Sequence, residues 1–188
     1  MYMYCLTHIH IDRAAATCKL VEKYGALVYV HPRGVKHLIN PEKLWRASLE
    51  VLKEEAIAIG KPEPIPHDKV VGIKDGECIK LDNEVMCFIY TPGHAPHHQV
   101  ILWKKREVVF TGDAAGGYVA SIDAVLPVSP PPVKIHSYLD SLVKILGLEP
   151  RIIAFAHSGV AEEATKLVRR HGAQMVKWLE VSSHICRA

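Results

Sequence analysis

The sequence predicts a mixed fold, of the α+β or α/β class, in which short strands alternate with helices. Near the start, a strand over residues 1–9 precedes a helix over Arg13–Tyr24 that Gly25 closes, and a compact apolar strand follows at Ala26–Val30. This strand–helix–strand order is typical of a βαβ unit. Further strands fill the middle of the chain and helices end it. The length of 188 residues suits one ordinary domain.

A helical insertion is predicted over about residues 41–60. Asn40 is a favourable N-cap, Pro41 fits the first helical position, and the helix runs to about Ile59 and stops at Gly60. An apolar stripe on this helix consists of Leu44, Val51, Leu52 and Ile59. The insertion either caps a functional site or covers a sheet face, and the sequence slightly favours the second role. The alternating prolines at 62, 64 and 66 predict a stiff connector after it.

The rest of the chain predicts strands first and helices later. The predicted strands are Val70–Ile73, Cys78–Leu81, Val85–Tyr90, Gln99–Trp103 and Glu107–Thr111. Asp75-Gly76 and Asp82-Asn83 supply the first two turns between them. After a proline-rich loop at residues 127–132, the predicted elements are a helix at Ser137–Leu146, a strand at Arg151–Ala156 and a closing helix at Ala161–Leu179.

Composition and charge exclude several classes of function. The formal net charge is +3 and no block of five or six basic residues occurs, which disfavours nucleic acid as a partner. No apolar run approaches the ~18 residues of a membrane span, and the first residues lack the shape of a signal peptide. We therefore expect a soluble, cytoplasmic protein. The widely spaced cysteines are predicted to be reduced thiols, and they are Cys5, Cys18, Cys78, Cys87 and Cys186.

The segment Thr-His-Ile-His-Ile-Asp at residues 7–12 is the first candidate for chemistry. In an extended segment, residues two apart point the same way, so His8, His10 and Asp12 can project together. Two imidazoles and a carboxylate are good ligands for zinc. A histidine pair on a strand is also often a plain surface pair, so this segment alone leaves both interpretations open.

Three more motifs follow predicted strands. They are Thr-Pro-Gly-His-Ala-Pro-His-His at 91–98, Phe-Thr-Gly-Asp at 110–113 and Ala-His-Ser-Gly at 156–159. Loops at strand ends commonly present functional side chains, and these three loops offer His94, Asp113 and His157. Because four strand ends each deliver a histidine or an aspartate, the set favours a metal site over coincidence.

The order and residue patterns of the four motifs resemble those of the metallo-β-lactamase superfamily, from the first residues to about residue 159. The resemblance implies a four-layer αββα sandwich, as a single domain over residues 1–188. It assigns the ligands of two metal ions, namely His8, His10 and His94 for the first and Asp12, Asp113 and His157 for the second, with Asp113 able to bridge both. The residue pattern at 91–98 and 110–117 looks more like that of the glyoxalase II-like and lactonase-like hydrolases than that of the antibiotic-degrading branch.

Two features depart from the family pattern. Arg13 stands where most hydrolases of the family have a further metal-binding histidine, and arginine is not a zinc ligand. One ion or two ions therefore both remain open, and Arg13 could pair with a carboxylate such as Asp113 and supply part of the missing positive charge. Only seven residues precede His8, where the family has several strands. We expect an N-terminally truncated first sheet, whose exposed edge invites self-association into a homo-oligomer.

These residues predict a metal-dependent hydrolase that cleaves thioester, ester or lactone bonds of a small-molecule substrate. A bound metal ion lowers the pKa of its water towards about 7, and Asp12 would be the catalytic group that orients this water and relays its proton. We expect zinc, as one or two ions, with iron or manganese as alternatives. Beside the ligands, His98 is expected to support them, His97 to belong to the loop or face solvent, and Tyr118 either to enter the substrate pocket or to pack.

Two other functions stay open at this point. One is a phosphodiesterase or nuclease of the same superfamily, which would require a basic groove. The other is a truncated, inactive metal-binding domain that associates with itself. Metal content separates the second from an enzyme, because a vestigial site would retain little zinc.

Overall fold

The computed structural model describes residues 2–129 and 132–185, and its strands lie in three sheets. The strands are β1 (Met3–Cys5), β2 (Leu27–Val30), β3 (Val70–Gly72), β4 (Cys78–Leu81), β5 (Glu84–Tyr90), β6 (Gln99–Trp103), β7 (Val108–Gly112), β8 (Gly117–Val119), β9 (Ala124–Leu126), β10 (Ile152–Phe155) and β11 (Gly159–Glu162). The first sheet is parallel, in the order β1-β2-β3. The second has the order β11-β10-β7-β6-β5-β4 and is antiparallel except between β7 and β10. The short strands β8 and β9 pair separately.

Helices surround the two larger sheets, and some of them cover the outer faces of these sheets. They are α1 (Ile11–Ala14), α2 (Thr17–Tyr24), α3 (Pro32–Ile39), α4 (Glu42–Leu52), α5 (Glu54–Ile59), α6 (Ile135–Gly147) and α7 (Ala164–Ile185). One core joins the parallel sheet to α2 and α3, through residues such as Val28, Cys18 and Leu38. A second joins the six-stranded sheet to α6 and α7, through residues such as Ile145 and Val168.

A third core lies between the two sheets and makes the architecture a sandwich. Phe88 and Ile101 of the six-stranded sheet pack there with Tyr29 of the parallel sheet and with Ile73. The order of layers is therefore helix, sheet, sheet, helix, and the predicted four-layer αββα arrangement is confirmed. Burial of these apolar faces against each other is the main favourable contribution to such a fold.

Most predicted elements are present, with different boundaries. The helix predicted over residues 13–24 is two helices, α1 and α2, and Gly25 ends α2 in the left-handed conformation (φ 62°), as expected. Helix α3 was not predicted, although Pro32 starts it and Nδ1 of His31 accepts a hydrogen bond from the Arg33 amide at 3.0 Å. Strands β8, β9 and β11 were also missed.

The insertion at residues 41–60 differs from its prediction in shape and in role. Lys53, with φ 48°, breaks it into α4 and α5, although Asn40 accepts the expected hydrogen bond from the Glu42 amide at 3.3 Å. The expectation that it covers a sheet face was wrong. It packs beside α1 and α3, and its apolar stripe, including Val51 and Ile59, lines a cavity.

The prediction that all cysteines are reduced was wrong for one pair. Cys78 and Cys87 form a disulfide between β4 and β5. They lie directly opposite each other in the antiparallel register, with Cα atoms 4.0 Å apart, so the hairpin itself brings the sulfur atoms together. Cys5 and Cys18 are free, and Cys186 lies outside the described residues.

Two further expectations concern self-association and membrane spans. Strand β1 lies at one edge of the parallel sheet, but self-association through that edge stays a prediction. Within residues 2–129 and 132–185, the structure has no helix that is both long and apolar enough to cross a membrane.

Gly93 closely approaches the backbone of α6, and this contact generates a prediction. It has φ +139°, and a Cβ there would lie 2.5 Å from the Cα of Tyr138. We expect Gly93→Ala to lower the free energy of unfolding by about 2 kcal/mol or more, because both the backbone conformation and the helix must shift. Urea denaturation monitored by circular dichroism measures this loss.

The matched control is Gly147→Ala in the last turn of the same helix. A Cβ at Gly147 meets no atom within 4 Å, so this variant should unfold at the wild-type urea concentration or slightly above it. Equal midpoints for the two alanine variants would contradict the close-approach argument.

Candidate metal centre

The sequence motifs meet where strands end. His8 and His10 follow β1 in the segment that leads into α1, and His94 lies in the loop between β5 and β6. Asp113 comes directly after β7, and His157 lies two residues beyond the end of β10. The parallel pairing of β7 and β10 puts the last two at the same edge of the six-stranded sheet.

Four of these side chains form one compact group. Nε2 of His94 lies 3.1 Å from Nδ1 of His10 and 3.2 Å from Oδ2 of Asp113. The same carboxylate oxygen lies 3.3 Å from Nε2 of His8. Each of the four residues offers one ligand atom, and these atoms all lie within 4.8 Å of one another. We call this set, His8, His10, His94 and Asp113, the four-ligand group.

Three of the separations within the four-ligand group match those of a tetrahedral metal ion. Zinc binds nitrogen and oxygen ligands at about 2.0–2.2 Å, which separates neighbouring ligand atoms by about 3.3 Å. The three separations above, 3.1, 3.2 and 3.3 Å, agree with that value. Nε2 of His8 is buried and forms no hydrogen bond within the described part of the chain, despite its closeness to Asp113. A metal ion would satisfy this otherwise unpaired atom.

Neighbouring hydroxyl groups hold the rings of His8 and His94 in orientation. Nδ1 of His8 lies 3.2 Å from Oγ1 of Thr7, and Nδ1 of His94 lies 2.8 Å from Oγ of Ser129. Metal-binding histidines usually engage their second nitrogen in this way, which fixes the ring and its tautomer. In both residues, Nε2 is left to face the centre of the group.

Burial sets the charge of the group. It lowers the pKa of His94 to about 3 and that of His10 to about 4, with the neighbouring His8 adding to both effects. Both rings are therefore neutral near pH 7 and keep a lone pair for a metal ion. Burial alone would raise the pKa of Asp113, but contact with His8 and the charge of Arg13 lower it to about 2. The group thus presents at least the neutral imidazoles of His10 and His94 and the carboxylate of Asp113.

His98 supports Asp113 through a hydrogen bond to its backbone, as predicted. It is fully buried, and its Nε2 accepts a hydrogen bond from the Asp113 amide at 3.2 Å. Its Nδ1 therefore carries the proton and lies 2.8 Å from Oγ1 of Thr91. Gly112 makes this approach possible, because it has φ +52° and a Cβ there would lie 2.8 Å from His98 and 2.6 Å from Oγ1 of Thr7.

Asp12 and His157, the other predicted ligands, lie outside the four-ligand group and gather around Arg13. Nη2 of Arg13 is 2.6 Å from Nε2 of His157 and 3.5 Å from Oδ1 of Asp113, and its Nε is 3.3 Å from Oδ2 of Asp12. The anticipated pairing of Arg13 with Asp113 is present. The three predicted ligands of a second ion are thus close together, but a guanidinium lies among them.

Two residues of uncertain role have structural functions. His97 does not face solvent freely, because its Nδ1 accepts a hydrogen bond from the Ile9 amide at 3.3 Å, which ties its loop to the segment after β1. The hydroxyl of Tyr118 donates to Asp123 at 2.9 Å, and its ring stacks on Phe155. Tyr118 therefore packs rather than entering a substrate pocket.

Two cavities adjoin the four-ligand group and meet at His94. The first, of about 580 Å³, has His10, His94, Asp12 and Asp113 on one side and an apolar wall from α4 and α5 on the other. We call it the apolar cavity. The second, of about 470 Å³, carries the cations Arg33 and Lys134, and we call it the cationic cleft. Sequence patterns gave no signal for the cleft, because its two cations lie far apart in the chain and in no motif.

Comparisons with known proteins agree with this geometry. The sequence matches the family model described as "Metallo-beta-lactamase superfamily" over residues 5–157. It is 33% identical over 184 residues to the metallo-beta-lactamase fold-containing protein ST1585 of Sulfurisphaera tokodaii, covering 96% of this chain and 68% of that protein. The crystal structure of ST1585 superposes with a TM-score of 0.85 over 94% of this chain and 68% of that one.

Two further relatives are more distant. An atrochrysone carboxyl ACP thioesterase of Aspergillus fumigatus is 27% identical, with 88% of this chain covered, and the hydroxyacylglutathione hydrolase GloC of Haemophilus influenzae is 29% identical, with 57% covered. The matched parts span 41% and 47% of those two proteins. With the family model matching most of its length and the four motifs converging at the strand ends, the chain belongs to the metallo-β-lactamase superfamily.

Proposed function

We propose that the protein is a metal-dependent hydrolase of thioesters, esters or lactones that carry an apolar acyl group. The observation that carries the proposal is the position of the four-ligand group on one side of the apolar cavity. Donors of the three-nitrogen, one-oxygen kind favour zinc, and iron and manganese accept similar ligands. The names of two relatives, a thioesterase and a hydroxyacylglutathione hydrolase, support the same class of bond.

The chain's own residues have separable roles in this reaction. His8, His10, His94 and Asp113 would hold the ion, which when bound supplies a water of lowered pKa and polarises the carbonyl group. Asp12 lines the apolar cavity and is about one-third exposed, and Arg13 holds its carboxylate. From there it can orient the attacking water and accept its proton.

The apolar cavity indicates what the acyl group is like. Its wall consists of side chains from the inserted helices, namely Leu44, Ala47, Val51, Leu52 and Ile59. Val51 is 63% exposed and Ile59 41% exposed, although they face the cavity. Apolar side chains left in contact with water beside polar, convergent groups are typical of a small-molecule site. The size and lining suit an aliphatic or aromatic acyl group.

The cationic cleft indicates what the leaving group is like. It shares His94, Ala95, Pro96 and Pro132 with the apolar cavity, so one substrate can occupy both. Arg33 and Lys134 line it, and none of the described residues that line it is acidic. An anionic leaving group, such as a phosphorylated or carboxylated thiol, fits these charges.

The same two cavities argue against a nuclease. A phosphodiester chain requires a continuous basic groove for its backbone. Here, the wall opposite the four-ligand group is mostly apolar and carries the acidic Glu55, and Asp12 adds negative charge on the side of the ligands. The acyl-hydrolase proposal accounts for the apolar wall, whereas nuclease activity leaves it without a role.

Loss of a proposed ligand should remove both metal and activity. We expect His94→Ala to purify with little bound metal and to lose more than about 100-fold in kcat/KM on an acyl thioester, because both depend on the ion. Inductively coupled plasma mass spectrometry and a thiol-release assay measure the two effects. The exposed His67, changed to alanine in parallel, should retain both. Full activity in metal-depleted His94→Ala would contradict the proposal.

Filling the apolar cavity should select against long acyl groups. We expect Ala47→Phe to lower kcat/KM about tenfold or more for an octanoyl thioester and to leave the acetyl thioester nearly unchanged, because the added ring occupies the space of the chain. The matched control is Ile57→Phe, at an exposed position of α5 outside the cavity lining. An equal effect on both chain lengths would show that the acyl group does not bind there.

Neutralising the cationic cleft should affect anionic leaving groups alone. We expect Arg33→Ala and Lys134→Ala each to raise KM several-fold for a coenzyme A thioester and to have little effect on the uncharged N-acetylcysteamine thioester. Lys105→Ala, which removes an exposed lysine paired with Glu84, is the control for net charge. A uniform change across both thioesters would count against the cleft as the leaving-group site.

A further inference from the structure

We infer that the guanidinium of Arg13 takes the place of a second metal ion, so that the protein binds one ion per chain. The inference deepens the proposed function, because it fixes the composition of the same site. It depends on the contacts of Arg13 and not on the identity of the substrate.

The groups that the family pattern assigns to a second ion all contact Arg13. Its Nη2 lies 2.6 Å from Nε2 of His157 and 3.5 Å from Oδ1 of Asp113, and its Nε lies 3.3 Å from Oδ2 of Asp12. Nη1 also donates to the carbonyl oxygen of Ala156 at 3.4 Å. The positive charge therefore sits among the same three side chains that would otherwise bind the ion.

The chemistry of the donors makes the guanidinium and a second ion mutually exclusive. An arginine side chain has only donors and stays protonated, so Nε2 of His157 must be the acceptor of the 2.6 Å hydrogen bond. Nε2 is also the ring nitrogen that lies near the other two assigned ligands, at 3.8 Å from Oδ2 of Asp12 and 3.5 Å from Oδ1 of Asp113, so an ion shared by the three residues would use its lone pair. Since one lone pair cannot serve both, an ion can bind His157 only after Arg13 has moved away.

Charge balance points the same way. The side chain of Asp113 is almost fully buried, and it lies between the imidazoles of the four-ligand group and the guanidinium. With one ion on its Oδ2 side and Arg13 on its Oδ1 side, both oxygens have a cationic partner. A second divalent ion beside Arg13 would place two cations next to each other in a partly buried site, where their repulsion is weakly screened.

Local structure keeps Arg13 in this position. The short helix α1 begins at Ile11 and carries Arg13 on the turn that follows the first motif. Oγ1 of Thr17 donates to the Arg13 carbonyl oxygen at 3.2 Å, which continues the path into α2. The side chain of Arg13 is only 21% exposed, so the guanidinium itself is mostly shielded from water, although its partners Asp12 and His157 are 35% and 48% exposed.

Counting ions tests the inference. Purified wild-type protein, dialysed against excess zinc and then against metal-free buffer, should retain one zinc ion per chain by native mass spectrometry. Arg13→His, which replaces the guanidinium with an imidazole, should retain two. Arg13→Lys keeps a cation at the position and should retain one, and circular dichroism checks that each variant is folded.

The possible outcomes separate the inference from the proposed function. Two tightly held ions in the wild type would overturn the inference and leave the proposed hydrolase intact, whereas no ion in the wild type would overturn both. A folded Arg13→His variant that still retains one ion would also overturn the inference. If that variant does not fold, the wild-type and Arg13→Lys counts still decide, because two ions in either contradicts the role of Arg13.

Discussion

The buried carboxylate of Asp113 is the constraint around which the site is built. A carboxylate with so little access to water is costly unless cations or hydrogen-bond donors surround it. The Asp113 amide donates a hydrogen bond to His98. His8 and His94 lie close to the carboxylate oxygen Oδ2, and Arg13 lies close to Oδ1. The sandwich supplies these partners from both sheets, since the histidines follow β1 and β5 whereas Asp113 follows β7. The layers and the site therefore depend on each other.

The convergence of the candidate ligands could be predicted from sequence because their signals are local. His8 and His10 are two residues apart in an extended segment, and His94, Asp113 and His157 each follow an apolar strand. The disulfide could also have been predicted from the sequence. A hairpin that turns at Asp82-Asn83 pairs Leu81 with Glu84 and, three steps further out, Cys78 with Cys87. The prediction of reduced thiols was based on cysteine spacing along the chain, and the register of the predicted strands was the better guide.

What could not be predicted depends on contacts between distant residues. From the sequence, Arg13 could be either a position where a metal-binding histidine has been lost or a positive charge that replaces a metal ion. Only its distances to His157 and Asp12 favour the replacement charge. The apolar stripe of residues 41–59 was correctly identified, but its periodicity is the same whether it faces a sheet or a cavity. The helix break at Lys53 had no sequence signal, because this residue has a positive φ although it is not a glycine.

A guanidinium in place of a second ion changes what the site can offer a substrate. The four contacts of Arg13 go to Asp12, Asp113, His157 and Ala156, so its fixed charge balances carboxylates but presents no open coordination position to a leaving group. Stabilisation of an anionic leaving group must then come from elsewhere. The cationic cleft adjoins the apolar cavity at His94, and Arg33 and Lys134 supply that charge. The one-ion centre and the cleft are thus two parts of a single electrostatic arrangement.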